Sequence, residues 1–245
     1  MAFGSYRADL SPALSFLSIN SMYFDAADTS VHDGEPELLQ NWLTYEFDLA
    51  RSENRRLLLT DHVYAGTRWH AKQLWYETDA CWFFKLLRDY ADVIAMEVVG
   101  HDHYADLRYH SSDNVCDLPD TETKFDFHNM FVSPGVTTID SSNPGVAYFE
   151  LDENLLPGNL KLEFVNIGPT LGNQNFSYAD AEWWSVNYTQ DFGLPQIDPK
   201  SIATFRKYLE DPANQQYALN YLVSKLGFNP SDPTQYEQGL DILID

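Results

Sequence analysis

Asp92-Val93-Ile94-Ala95-Met96-Glu97-Val98-Val99-Gly100-His101-Asp102-His103 is the stretch on which the fold turns. Its first eight residues are mostly apolar and partly β-branched, the composition of a buried strand. A glycine ends the run, and two histidines follow one residue apart. Neutral imidazoles bind borderline metals, and two of them on a turn at a strand's end can face one cluster. The plain alternative is a polar turn with solvated histidines, since short motifs recur by chance.

A second segment repeats the pattern. Arg56-Leu57-Leu58-Leu59-Thr60 reads as a short strand and runs into Asp61-His62-Val63-Tyr64-Ala65-Gly66, again a histidine just past a strand and before a glycine. The residues between the two strands have helical character, so the unit reads strand–helix–strand, which favours a parallel pair with a right-handed crossover. Both histidine turns then fall at the carboxyl edge of one sheet, where α/β proteins place their sites. His62, His101 and His103 are the candidate metal ligands.

Outward from this unit the chain keeps an α/β character. Leu14 to Asn20 reads as a strand, and the polar stretch Asp25–Gly34 as a loop. Pro36 suits a helix's first turn, and Leu39, Leu43, Phe47 and Ala50 keep helical spacing to about Ser52. The aromatic-rich segment His70–Tyr90 predicts a long helix, with Trp69 and His70 near the metal-bearing turn as pocket candidates. Further strands are expected at Tyr104–His110, Met130–Ser133, Val146–Leu151 and Leu160–Val165, with loops over Ser111–Thr123 and Gly168–Ser177. Two helices, about Ser201–Glu210 and Ala213–Leu226, close the pattern. His110 and His128 carry no motif and read as structural or solvated, so replacing His128 is expected to leave metal binding unchanged.

Composition bounds the function. With 245 residues, 44% hydrophobic and 15% aromatic, the chain can build a packed core. A formal net charge of −22 repels phosphate backbones and anionic membrane surfaces, which argues against nucleic-acid binding or steady membrane attachment. No run reaches transmembrane length, and the first residues lack the layout of a signal peptide. Cys81 and Cys116 are too few for a disulfide scaffold, and Cys81, in a helical aromatic context, reads as a small buried residue. Asn175 and Asn187 head N-glycosylation sequons.

Taken together, the motifs resemble the calcineurin-like metallophosphoesterases, and within them the acid sphingomyelinase-type phosphodiesterases. Gly100-His101-Asp102-His103 matches that family's Gly-His-x-His, and His62 with Val63 and Gly66 matches Gly-His-(Ile/Val)-Pro-Pro-Gly, with Asp61 for the first glycine and Tyr64-Ala65 for the prolines. Gln40-Asn41-Trp42-Leu43, Ser133-Pro134-Gly135-Val136-Thr137-Thr138, Asn143-Pro144-Gly145 and Phe192-Gly193-Leu194-Pro195 extend the resemblance from about Gly4 to Gly227. The family's Asp-x-His, Gly-Asp-x-x-Asp and Asn-His elements have no counterpart before His62.

The resemblance implies a mixed-sheet metallophosphoesterase-type sandwich lacking its N-terminal half. Residues 1–195 would be the C-terminal half of that domain, and 196–245 a helical C-terminal extension. It implies a two-metal site, zinc with manganese or iron as alternatives, in which His62 and His101 ligate one metal and His103 the other. A single metal held by all three is the other arrangement. Asp61 and Asp102 would support the ligands from behind. The substrate would be a phosphodiester or phosphomonoester, as a small molecule or a lipid headgroup, and the compartment secreted or lysosomal. The missing elements would come from the same precursor, from a separate chain or through self-association. The chain alone is expected to be inactive, and the strand around Leu14–Ile19 to leave unpaired backbone or an exposed apolar face. The remaining alternatives are a non-catalytic binding or structural relative, and an unrelated α/β protein.

Overall fold

The central strand–helix–strand unit is present in the computed structural model, which describes residues 3–30, 34–67, 73–111, 126–138, 141–167, 181–194 and 196–244. Strands β3 (Arg56–Thr60) and β4 (Ile94–Val99) lie side by side and parallel, with Leu57 opposite Ile94 and Thr60 opposite Val98. Leu57, Leu59, Ile94, Met96 and Val99 are buried, as strands packed inside an α/β layer require.

Helix α1 (Glu35–Ser52) covers this layer with the expected stripe, and Leu39, Leu43, Phe47 and Ala50 are fully buried. Pro36 stands in its first turn, where a missing N–H costs nothing. Helix α2 (Glu77–Asp89) starts later than expected from His70. Thr67 bridges Gln73 and Asp25 bridges Trp75, so the chain before Glu77 is extended. The cause is Trp75, whose indole lies 4.6 Å from the Phe24 ring and 5.1 Å from Phe83 and donates to the Val63 carbonyl at 2.5 Å. Residues 68–72, including Trp69 and His70, lie outside the described residues.

Strand β2 (Leu14–Ser18) corrects the expectation of an open strand. It pairs with β3 in parallel and with β1 (Tyr6–Asp9) in antiparallel, which makes the sheet mixed. Leu14, Leu17 and Ile19 are buried rather than left as an apolar face. The edge position falls to β1, which carries the charged residues Arg7 and Asp9. Its Arg7 guanidinium reaches Asp9, Glu46 and Glu53 at 3.0, 3.4 and 2.6 Å. With β5 (Asp106–Ser111) and β6 (Asp126–Val132), the six strands run in the order β1-β2-β3-β4-β6-β5.

A three-stranded antiparallel sheet follows, β7 (Gly145–Leu151), β8 (Pro157–Asn166) and β9 (Glu182–Asn187). The helices after it are α3 (Tyr188–Asp191), α4 (Pro199–Glu210), α5 (Gln215–Lys225) and α6 (Pro233–Ile244). The chain forms two interleaved compact units. One comprises Met1–His101, Arg108–Phe131 and Glu153–Leu156, and the other Asp102–Leu107, Val132–Asp152 and Pro157–Asp245. The helices after residue 196 belong to the same unit as β7–β9, so the compact units do not follow a 195/196 boundary. Among the described residues no helix is long and apolar enough to cross a membrane.

Candidate functional site

Because β3 and β4 run parallel, with one register shift between Leu57 and Leu58 and Thr60 opposite Val98, the residues after Thr60 and after Val99 emerge together. The Gly100 N–H donates to the His62 carbonyl at 3.3 Å, tying the two turns. A side chain at 100 would place its Cβ 3.0 Å from His62 Nδ1, so glycine leaves the imidazole its room. The His62 and His101 rings lie 5.5 Å apart, edge to face at 85°. His62 is exposed and His101 half-buried, so both are open to a ligand from solvent.

His101 and His103 have φ of 75° and 61°, in the left-handed region that side chains other than glycine rarely adopt. Such a conformation costs about 1–2 kcal/mol and tends to mark functional turns. His101→Gly is therefore expected to raise the free energy of unfolding by about 1 kcal/mol in a urea titration, while removing an imidazole. A variant less stable than the natural chain would mean that the contacts of the ring outweigh the backbone strain.

In the second unit, His103 is set by its carbonyl, which accepts from the Gly135 N–H at 3.0 Å and the Ser142 hydroxyl at 3.3 Å. A Cβ on Gly135 would lie 3.1 Å from that of His103. Gly145 N–H donates to the Gly135 carbonyl at 2.9 Å, so the Ser-Pro-Gly and Asn-Pro-Gly motifs form the wall behind His103. Asn143 is structural, its side-chain amide donating to the Gly227 carbonyl at 3.0 Å. Asp102 is buried and accepts from the Tyr104 hydroxyl at 3.0 Å.

Asp61 is buried against Glu97, a residue the sequence did not single out. Glu97 meets His128 of β6, Oε2 to Nε2, at 2.6 Å, and His110 stacks on His128 with ring centroids 5.6 Å apart and planes at 12°. His128 is buried, and His110 is half-buried with its Nε2 enclosed. Burial and the nearby Glu97 charge push the Asp61 carboxyl well above the usual carboxylate range. Burial also opposes charge on Glu97, but the hydrogen bond and charge of His128 outweigh it and hold that carboxyl below its ordinary value. The only sequence signal for this group was one carboxylate inside an apolar strand run.

The donor set fits a metal only in part. Two imidazoles converge at the strand ends, but among the described residues no three His, Cys, Asp or Glu side chains are disposed to hold an ion. The arrangement in which all three histidines hold one metal is therefore not formed among the described residues. A two-metal centre needs bridging carboxylate that this pair does not supply.

Cys81 corrects another expectation. It is half-buried on α2 and disulfide-bonded, rather than a small buried thiol. The chain's other cysteine, Cys116, lies outside the described residues, as does Asn175. Asn187 is half-exposed, its side-chain Oδ1 capping α3 by accepting from the Thr189 and Gln190 N–H groups at 3.0 and 3.1 Å.

No protein-family model matches the chain. Among curated proteins, it is 23% identical to cyclic GMP-AMP phosphodiesterase SMPDL3A of Bos taurus, over 89% of this chain and 48% of that protein. It is 25% identical to sphingomyelin phosphodiesterase 2 of Caenorhabditis elegans, over 80% of this chain and 31% of that protein. The Rattus norvegicus SMPDL3A matches at 23%, over 94% of this chain and 51% of that protein. The chain is thus similar to phosphodiesterases of the acid sphingomyelinase-like kind and spans about half or less of their length.

Proposed function

We propose that this chain is a portion of a metal-dependent phosphodiesterase of the acid sphingomyelinase-like kind, acting on a phosphodiester or phosphomonoester of a small molecule or lipid headgroup. The observation that carries the proposal is the convergence of the His62 and His101 imidazoles at the carboxyl ends of two parallel strands. Relatives named as phosphodiesterases, matched across 80–94% of this chain, support the reaction class.

In this reading His62 and His101 present neutral nitrogens to one divalent ion, zinc before manganese or iron, and His103 serves a second. Bound metals would polarise the phosphoryl oxygens and acidify a water nucleophile. The carboxylates that offset two dications come from further polypeptide, in the same precursor, in a separate chain or in a second copy. The disulfide at Cys81 supports an oxidising, secretory-pathway compartment, in which Asn187 is a candidate glycan site.

Zinc titration by calorimetry, run beside turnover of a chromogenic phosphodiester, tests this. The chain alone should bind zinc weakly, with His62→Ala and His101→Ala each weakening it by at least about tenfold, a cost near 1.4 kcal/mol. Turnover should be negligible until a polypeptide bearing the missing carboxylates is added. Failure of the natural chain to bind zinc would overturn the site, and turnover by the chain alone would overturn the need for further donors. A non-catalytic relative is the second reading, favoured by the absence of a three-ligand cluster among the described residues. It predicts no turnover even with the added polypeptide.

A further inference from the structure

Behind the His62 turn stands a line of buried ionisable side chains that the proposed metal site does not use. Glu97 and His128 are each 1% exposed, and Asp61 is 8% exposed. The line has a direct order. His128 Nε2 lies 2.6 Å from one Glu97 oxygen, and the Asp61 carboxyl is buried beside that of Glu97. Among the described residues no hydrogen-bond partner reaches either Asp61 oxygen, so the carboxyl stands unsatisfied beside Glu97. The Asp61 peptide leads straight into His62.

Three ionisable groups in an apolar core do not increase stability in themselves. A well-packed apolar replacement of a buried charged cluster is often neutral or stabilising, and such clusters are best understood as fixing one geometry over others. Here the geometry they fix is the end of β3. The Asp61 side chain is held inward, while the His62 carbonyl is held by the Gly100 N–H and its ring fits over the bare Gly100. Those restraints together leave the His62 imidazole facing His101.

We propose that Asp61, Glu97 and His128 form a positioning chain that orients the His62 imidazole toward His101, an inference that rests on reading those two histidines as metal ligands. His128 then acts at a distance through two carboxyls, contrary to the sequence expectation that its replacement is silent. A supporting group that orients a metal-binding imidazole typically contributes a factor of about 10–100 in metal affinity.

Cobalt(II) titration of the full chain, followed by its visible absorption, tests the proposal. Glu97→Leu should weaken cobalt binding by about 10–100-fold and alter the visible bands, which report ligand geometry. Glu97→Gln, which can still accept from His128 and donate to Asp61, should restore most of the affinity and the natural spectrum. His101→Ala should abolish the spectrum. A folded Glu97→Leu variant with unchanged affinity and bands would overturn the positioning chain and leave the ligand assignment standing. Glu97→Gln as defective as Glu97→Leu would also overturn it. If Glu97→Leu does not fold, the apolar set Asp61→Ala, Glu97→Leu and His128→Phe carries the same test with the same two outcomes. Failure of the natural chain to bind cobalt, or binding indifferent to His101→Ala, would instead sink the ligand assignment, and the positioning chain with it.

Discussion

Asp106→Ala is expected to destabilise the second unit by about 3–5 kcal/mol, the usual cost of breaking a buried ion pair from one side. Asp106 is 2% exposed, and its carboxylate takes the Lys225 ammonium at 3.0 Å and the Tyr221 hydroxyl at 2.9 Å, with Arg206 at 3.6 Å. The ammonium also stands over the rings of Tyr104 and Tyr221, 5.1 and 5.9 Å from their centroids. Those rings temper the charge, but they do not replace a carboxylate in a site this dry. Burial and then the Asp106 charge push the Tyr221 hydroxyl well above its ordinary range, so it remains a donor.

Truncating Asp106 strands Lys225, whereas removing both charges need not be costly. The double variant Asp106→Leu with Lys225→Met should recover most of the loss, and urea unfolding of the single and double variants measures the difference. A single variant within about 1 kcal/mol of the natural chain would show that the pair is solvated or its partners replaceable. The consequence extends to the candidate site, because the Ala105 N–H donates to the Lys225 carbonyl at 3.0 Å. That bond ties the end of α5 to the segment that carries His103.

The elements legible in the sequence are those whose burial follows a local period. Leu39, Leu43, Phe47 and Ala50 announce α1 at helical spacing, and the run from Ile94 to Val99 announces β4 by its length and its stop at glycine. The placing of His62 and His101 at one sheet edge was legible too, since the strand–helix–strand pattern announces the parallel pairing of β3 with β4. Where tertiary contacts decide, the sequence is silent. Trp75 has the neighbours of a helical residue but is held extended by Phe24 and Val63. Strand β9 buries only Val186 and exists through its pairing with β8, and α6 carries Gly239 where α5 leaves no room, a Cβ there falling 2.9 Å from Val223. Glu97 and His128 meet across neighbouring strands that are 31 residues apart in the chain, a contact that no spacing rule reveals.

Acid should weaken the first unit through His110. Its ring is packed 4.4 Å from Phe84 and 5.6 Å from His128, and its Nε2 is buried without a hydrogen-bond partner among the described residues. Burial, then the charge of His128 with a smaller contribution from Arg108, push its pKa down to about 3, against the opposing pull of Glu97. The unfolded chain releases this histidine to titrate near 6.5. Below that pH the unfolded state binds a proton that the folded state refuses, so the stability is fully present above 6.5 and is lost as pH falls toward 3. By pH 5 the loss is about 2 kcal/mol, one and a half units at about 1.4 kcal/mol each. His110→Phe keeps an aromatic ring between Phe84 and His128 and removes the titration. Urea unfolding at pH 8 and pH 5 should therefore show a gap between the two conditions about 2 kcal/mol smaller in the variant than in the natural chain. The comparison is made between variants because acid also relieves the self-repulsion of a chain with a formal net charge of −22, which acts in the opposite sense on both proteins alike. Equal gaps would show that His110 does not carry the acid sensitivity of this unit.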